Sequence, residues 1–281
     1  MRVSKLTPQS PHSVTPERDT HSLIQRAIVD MRQAYGPQGW WPIRTEARHF
    51  KRRSGELERR GYHPGQFEFP RTKAGRWEIT CGAVLTQNTA WTNVEHAMDG
   101  LNEAGLRSAR AILECSPDAL GAAIRPAGYF NQKAVYLAAV AQWFLAQDRA
   151  LSRVTPTRAI LLAVRPQLLN VKGVGPETAD SILLYAYKMP TFVVDAYTRR
   201  VFGRVGIIDE RSRYEQIRSQ FEAALVTSDA VTTVEAWQEA HALIVAHAKR
   251  FHTRTANLEA DFLLRLASVQ TKRAAFECGA R

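Results

Sequence analysis

Cysteine is scarce. The 281 residues hold three, Cys81, Cys115 and Cys278, and no two have the close spacing of a disulfide framework or a thiolate zinc site. They read as reduced thiols. Long apolar runs are missing too. The nearest approach, residues 134–146, is interrupted by Gln142 and falls short of the ~20 residues that a membrane-spanning helix needs. Residues 1–20 are rich in Ser, Thr and Pro, lack an apolar signal core and read as a disordered tail. Alternating strand patterns are few. Acidic residues are outnumbered, 27 Asp and Glu against 38 Lys and Arg, which leaves a formal charge of +11. That excess favours a polyanionic partner, a nucleic acid or an anionic membrane surface. A soluble, cytoplasmic, monomeric protein is the expectation.

Helical periodicity dominates what remains. Residues 21–36 carry apolar positions at 23, 24, 27, 28 and 31 and stop at Gly36, as an amphipathic helix does. Similar patterns run over 77–89, 92–105 and 131–148, with short helices between; Ser116-Pro117 supplies an N-cap followed by proline at the first helical position. The fold class is all-α. Residues 43–76 stand apart, with ten Lys and Arg against four Asp and Glu. They read as a basic insertion with one short helix around 46–60, its arginines either on backbone phosphates or on a solvated surface. Trp77 and Trp143 read as core.

The stretch LLNVKGVGPETADSILLYAY, residues 168–187, reads as two helices joined by a glycine turn. Gly173 and Gly175 permit positive φ and remove side chains where a phosphate approaches. Val174 plugs the core, Pro176 starts the second helix, and Ala179 lets the helices pack closely. Free backbone N–H groups and the positive helix end make an anion site, to which Lys172 and Thr178 are added as DNA contacts. Asp195 follows at a helix start. An aspartate there is either an N-cap or a carboxylate presented for chemistry.

Taken together, the hairpin, VVDAYTRRVFGRVG around Asp195, GAVLTQNTAW (82–91) and GYFNQKA (128–134) resemble the helix–hairpin–helix DNA glycosylase superfamily, the endonuclease III group. The resemblance implies two helical lobes, one from 78–194 and one from 21–77 with 195–281, and a cleft holding Asp195 as the catalytic group. It implies that Gln87 or Asn88 fills the gap left by an extruded nucleotide. Many members have a lysine two residues after the second glycine, which makes them lyases. Here Glu177 stands there, and a carboxylate forms no Schiff base; Lys172 lies on the other side of the turn. Many members ligate an iron–sulfur cluster near the C-terminus. The matching stretch here has no cysteine, so no cluster is expected. Tyr129 and Asn131 read as turn-shaping.

These departures most resemble the endonuclease III-like 3-methyladenine DNA glycosylases without a cluster. The likeness places Trp40, Trp41, Pro42 and Trp91 at the base pocket, with Lys249 on a C-terminal helix either returning to it or on the surface. Glu177 is either a second carboxylate near the base or a structural residue. No cofactor is expected, although hairpin carbonyls such as that of Val171 suit a monovalent ion. The implied reaction is hydrolytic release of a damaged base, most simply an alkylated purine, from double-stranded DNA. Oxidised, deaminated or mismatched bases, a non-catalytic DNA binder and a bifunctional lyase are the rivals.

Overall fold

The computed structural model describes residues 16–50, 60–252 and 260–266. In chain order its helices are α1 (Pro16–Tyr35), a 3-10 turn (Arg44–His49), α2 (Lys73–Leu85), α3 (Trp91–Glu103), α4 (Ala109–Glu114), α5 (Pro117–Ala123), a second 3-10 turn (Arg125–Ala127), α6 (Phe130–Leu151), α7 (Arg158–Leu169), α8 (Pro176–Ser181), α9 (Ala196–Arg204), α10 (Tyr214–Ala224) and α11 (Ala230–Phe251). One π-helical turn, Ile182–Ala186, continues α8. No strand occurs among the described residues, and none of their helices is long and apolar enough to cross a membrane.

Local chemistry sets the helix starts. The side chains of Thr72, Ser108, Ser116, Thr157, Asp195 and Asp229 each accept from a backbone N–H of the first turn, and a cap of this kind contributes about 1 kcal/mol. Helix α6 packs against α2, α4 and α5, and α2 against the π turn. Helix α1 packs against α10 and α11, and α9 against α11. The first and last of these helices thus meet. Trp77 and Trp143 lie in the core at 3% and 8% exposure.

Three expectations change. Helix α1 begins at Pro16, so residues 16–20 are helical and not tail; residues 1–15 lie outside the described ones. Helix α2 begins at Lys73 because Thr72 caps it, four residues before Trp77. The basic segment is no solvated appendage. Ile43, Phe50 and Phe69 are buried. Glu46, also buried, accepts from the Arg71 and Thr72 amides, and Glu78 accepts from those of Arg44 and Thr45. Arg44, Arg60, Arg71 and Arg76 pair with Asp99, Glu95, Glu68 and Asp148. Each of these four guanidinium groups has a carboxylate partner within the protein. Residues 51–59, and the second half of the short helix expected at 46–60, lie outside the described residues, as does Cys278.

At the end of α11 a buried aspartate meets two histidines. Asp261 Oδ2 accepts from His252 Nε2 at 2.9 Å, Oδ1 accepts from the Leu263 amide at 2.8 Å, and His247 Nε2 lies 3.1 Å from Oδ1. Burial alone would raise this carboxyl; the two imidazoles and the amide outweigh it and hold it well below the usual carboxylate range.

Candidate active site

A cleft of about 700 Å³ opens between the two groups of helices. Six segments supply its walls: the Trp40–Trp41 pair, the end of α2 with the loop to Trp91, Gln132 and Tyr136 of α6, the hairpin, the stretch around the start of α9, and one stripe of α11. The cleft brings together Trp40, Trp41, Gln87, Asn88, Trp91, Gly173, Gly175, Glu177, Thr178, Asp195 and Lys249. Three sequence candidates are not on it. Pro42 is buried behind the tryptophans and lines a separate small cavity. Val174 points into the core at 7% exposure. Lys172 is exposed and does not line the cleft.

The two hairpin glycines have different reasons. Gly173 has φ +85, and a Cβ there would run into the Tyr136 ring. Gly175 has φ −91 and ψ 178, open to any residue, so the expected positive φ fails there. A Cβ on it would meet nothing within 4 Å. Its lack of a side chain therefore keeps space clear on the outer face. The turn closes by Val174 N–H donating to the Val171 carbonyl at 3.0 Å, which leaves the Gly173 and Gly175 N–H groups unbonded among the described residues and takes Val174's away from any phosphate.

Gln87 is no free wedge. Its amide donates to the Gly173 carbonyl and to Thr178 Oγ1, both at 2.9 Å, and so ties the α2 loop to the hairpin. Asn88 beside it is exposed and left-handed, φ 53. It is the side chain that this loop presents. Lys133, in the GYFNQKA segment, is buried and donates to the carbonyls of Leu85 and Ala127 at 2.8 Å, which anchors the loop from behind. Burial lowers its pKa to about 8. Tyr129 is left-handed, φ 46, at the N-cap of α6 and 69% exposed, so it does shape the turn, as expected.

The indoles pack on one another. Trp40 and Trp91 have ring centroids 4.7 Å apart, Trp41 and Trp91 5.4 Å, Trp40 and Trp41 5.3 Å. Trp41 is only 4% exposed and rests on Tyr185. Trp40 and Trp91 are half-buried and offer the accessible faces. Lys249 Nζ lies 5.5 Å from the Trp40 centroid, and desolvation there lowers its pKa.

Asp195 is both cap and presented carboxylate. Its Oδ1 accepts from the Thr198 N–H at 2.7 Å and the Thr198 hydroxyl at 2.8 Å. Its Oδ2 is left for the cleft, with His241 Nε2 at 3.5 Å. Burial would raise this carboxyl; His241 and Thr198 outweigh it and keep it below the ordinary value. Glu177 is the opposite case. Its residue reaches solvent, but its carboxyl sits in the cleft wall, and crowding by protein followed by the Asp195 charge raises its pKa to about 7. The cleft therefore holds one carboxyl shifted toward its ionised form and one shifted toward its protonated form.

Sequence reading missed His241, Tyr185 and Tyr136. A signal for the first existed: His241, Val245 and Lys249 follow at four-residue intervals, and all three line the cleft, as one helix stripe should.

Comparison with known proteins follows the same outline. Residues 81–225 match the HhH-GPD superfamily of base excision DNA repair proteins. A candidate DNA repair glycosylase of Methanocaldococcus jannaschii is 38% identical over 228 residues, 81% of this chain and 86% of the relative. Among solved structures, a 3-methyladenine DNA glycosylase of H. pylori bound to 1,N6-ethenoadenine superposes with a TM-score of 0.58 at 23% identity, over 82% of this chain and 97% of that one. An endonuclease III–DNA complex superposes at 0.60 with 16% identity, over 91% and 98%. These two share the all-α fold with this chain.

Proposed function

Because the chain belongs to the HhH-GPD superfamily of base excision DNA repair proteins, we propose that it is a monofunctional DNA glycosylase that releases alkylated purines such as 3-methyladenine and leaves an abasic site. One observation carries the reading: a single cleft sets the faces of Trp40 and Trp91 together with the ionised Asp195. The target base must leave the stack, at a cost of a few kcal/mol, before its sugar can reach the carboxylate. The hairpin amides of Gly173 and Gly175 hold a phosphate, and Asn88 enters the space that the base vacates. An alkylated purine is cationic, so indole faces add a cation–π attraction of roughly 0.5–2 kcal/mol. Asp195 Oδ2 stabilises the positive charge that develops on the sugar as the bond breaks. Glu177 occupies the place of the lyase lysine and has no amine to attack C1′; Lys172 does not line the cleft.

A second reading has its own support in Lys249. If the amine beside Trp40 stays charged, it favours a neutral base with a carbonyl acceptor, an oxidised or deaminated one, over a cationic one. The discriminating experiment incubates the protein with methylated duplex DNA and with duplexes carrying deaminated or oxidised bases, and identifies released bases by chromatography. Release of 3-methyladenine, with strands breaking only after alkali and no borohydride-trapped adduct, is expected. Release confined to the neutral lesions refutes the alkylpurine assignment, and trapping refutes the monofunctional one.

A further inference from the structure

His241 has no task in the proposed chemistry so far, yet its position is over-determined. It is 4% exposed, lines the cleft and stands behind the carboxylate. Its tautomer follows from where the one hydrogen of the Tyr185 hydroxyl points, because that oxygen reaches the Gln238 carbonyl at 3.1 Å and His241 Nδ1 at 2.7 Å. With the hydrogen on Gln238 the hydroxyl accepts from Nδ1–H, and Nε2 of the neutral ring is a lone pair. That lone pair lies 3.5 Å from Asp195 Oδ2 and has no aligned hydrogen-bond partner. Two buried acceptors facing each other need a proton between them or a donor beside them.

We propose that His241 is the general base of the cleft, held in its working tautomer by Tyr185, and that Asp195 and His241 together grip the attacking water. The inference rests on the glycosylase reading above and deepens it. In the step, the water oxygen bonds to C1′ as the C1′–N bond breaks, and the bonding pair leaves with the base. One water proton passes to His241 Nε2 and returns to solvent through the cleft mouth. A cationic alkylpurine is neutralised by the pair it takes and needs no acid; a neutral base takes a proton from Glu177. The division of labour has an electrostatic reason. Asp195 must stay ionised beside a developing cation, whereas an imidazolium there would repel it. The protonated ring donates to Oδ2 and blunts the charge that the sugar needs, so the working form is the neutral ring.

The π turn supplies the geometry. It carries Tyr185 to α11, where its hydroxyl reaches both His241 and Gln238. Such turns recur at functional sites.

The test is single-turnover base release against pH, on the substrate identified above, for wild type, His241→Gln, Tyr185→Phe, Glu177→Gln and Asp195→Asn. Charged or titratable groups around the ring are Asp195 and Arg200 at α9, Tyr185 on the π turn, Glu177 in the hairpin and Lys249 on α11. Because the Glu177 pKa is raised to about 7, its variant is the control. The wild-type rate should fall on the acid side, and that fall should survive Glu177→Gln. His241→Gln should lose at least a hundredfold, the lower range for a positioned base, with the acid fall abolished and abasic-site DNA still bound. Tyr185→Phe, which frees the tautomer but retains the ring, should lose less and move the fall along the pH axis. A His241→Gln rate within threefold of wild type overturns the proposal. So does a slow His241→Gln enzyme whose acid fall is unchanged, which would mark a structural role. An inactive wild type, or Asp195→Asn as active as wild type, instead defeats the glycosylase reading, and does so without reference to His241.

Discussion

Asp195 serves the helix with one oxygen and the cleft with the other, and two substitutions separate those services. Asparagine caps a helix about as well as aspartate, so Asp195→Asn keeps an acceptor for the Thr198 N–H and hydroxyl and loses the negative charge. Alanine loses both. For Asp195→Ala the missing cap costs about 1 kcal/mol, a fall in Tm of roughly 3 °C for a protein of this size. For Asp195→Asn the expected stability change is a few tenths of a kcal/mol. Base release should collapse in both, by a factor of about 10² to 10³ for a lost electrostatic stabiliser. A further sign follows from the neighbour. Glu177 is raised by burial and then by the Asp195 charge, so either substitution should move its titration back toward the ordinary carboxylate value. Scanning calorimetry, single-turnover chromatography of released base and NMR titration of the Glu177 carboxyl read the three effects. Asp195→Asn keeping more than a tenth of the wild-type rate would refute the catalytic role, and Asp195→Ala melting together with Asp195→Asn would refute the cap.

Gly173→Ala should destabilise the fold by about 2 kcal/mol or more, from positive φ and the collision with Tyr136, whereas Gly175→Ala should melt like wild type and bind DNA more weakly; equal melting temperatures for the two would sink the distinction. DNA affinity should fall steeply with salt, and Lys172→Ala should reduce the log–log slope by about one; an unchanged slope means that Lys172 touches no phosphate. Asp261, depressed in the folded state, contributes stability above its unfolded pKa of roughly 3.9 that is lost as pH falls through the folded value. Asp261→Asn should therefore cost about 3 kcal/mol at pH 7, with the gap to wild type narrowing in denaturant melts at progressively lower pH; a gap that does not change with pH would refute the linkage.

Much of the site was legible because its signals are local. Gly-Val-Gly-Pro and the capping aspartate write their backbone consequences within a few residues, and the Trp-Trp pair, the LTQNT loop and Asp195 do meet in one cleft. Contacts made only by folding were not legible. Tyr185 and His241 are 56 positions apart, and a π turn shifts the register that plain helical periodicity would assign. Gln87 and Asn88 are adjacent and both amides; only the bonds to Gly173 and Thr178 separate the strut from the free side chain. The basic segment misled because composition counts charges but not partners. Three of the four carboxylates that pair with its arginines lie on α3 and α6, outside the window in which the excess was counted.

The Gln87 strut has a consequence for how such a protein searches. It joins the loop that presents Asn88 to the hairpin turn, so on the proposed reading the part that holds the backbone and the part that probes the stack advance as one gauge. A gauge without a moving needle measures the compliance of what it is pressed against. On the proposed reading, selection during scanning then lies in the DNA: a weakened base pair yields to the fixed probe, a sound one does not, and sequence-dependent stiffness becomes the quantity first sensed.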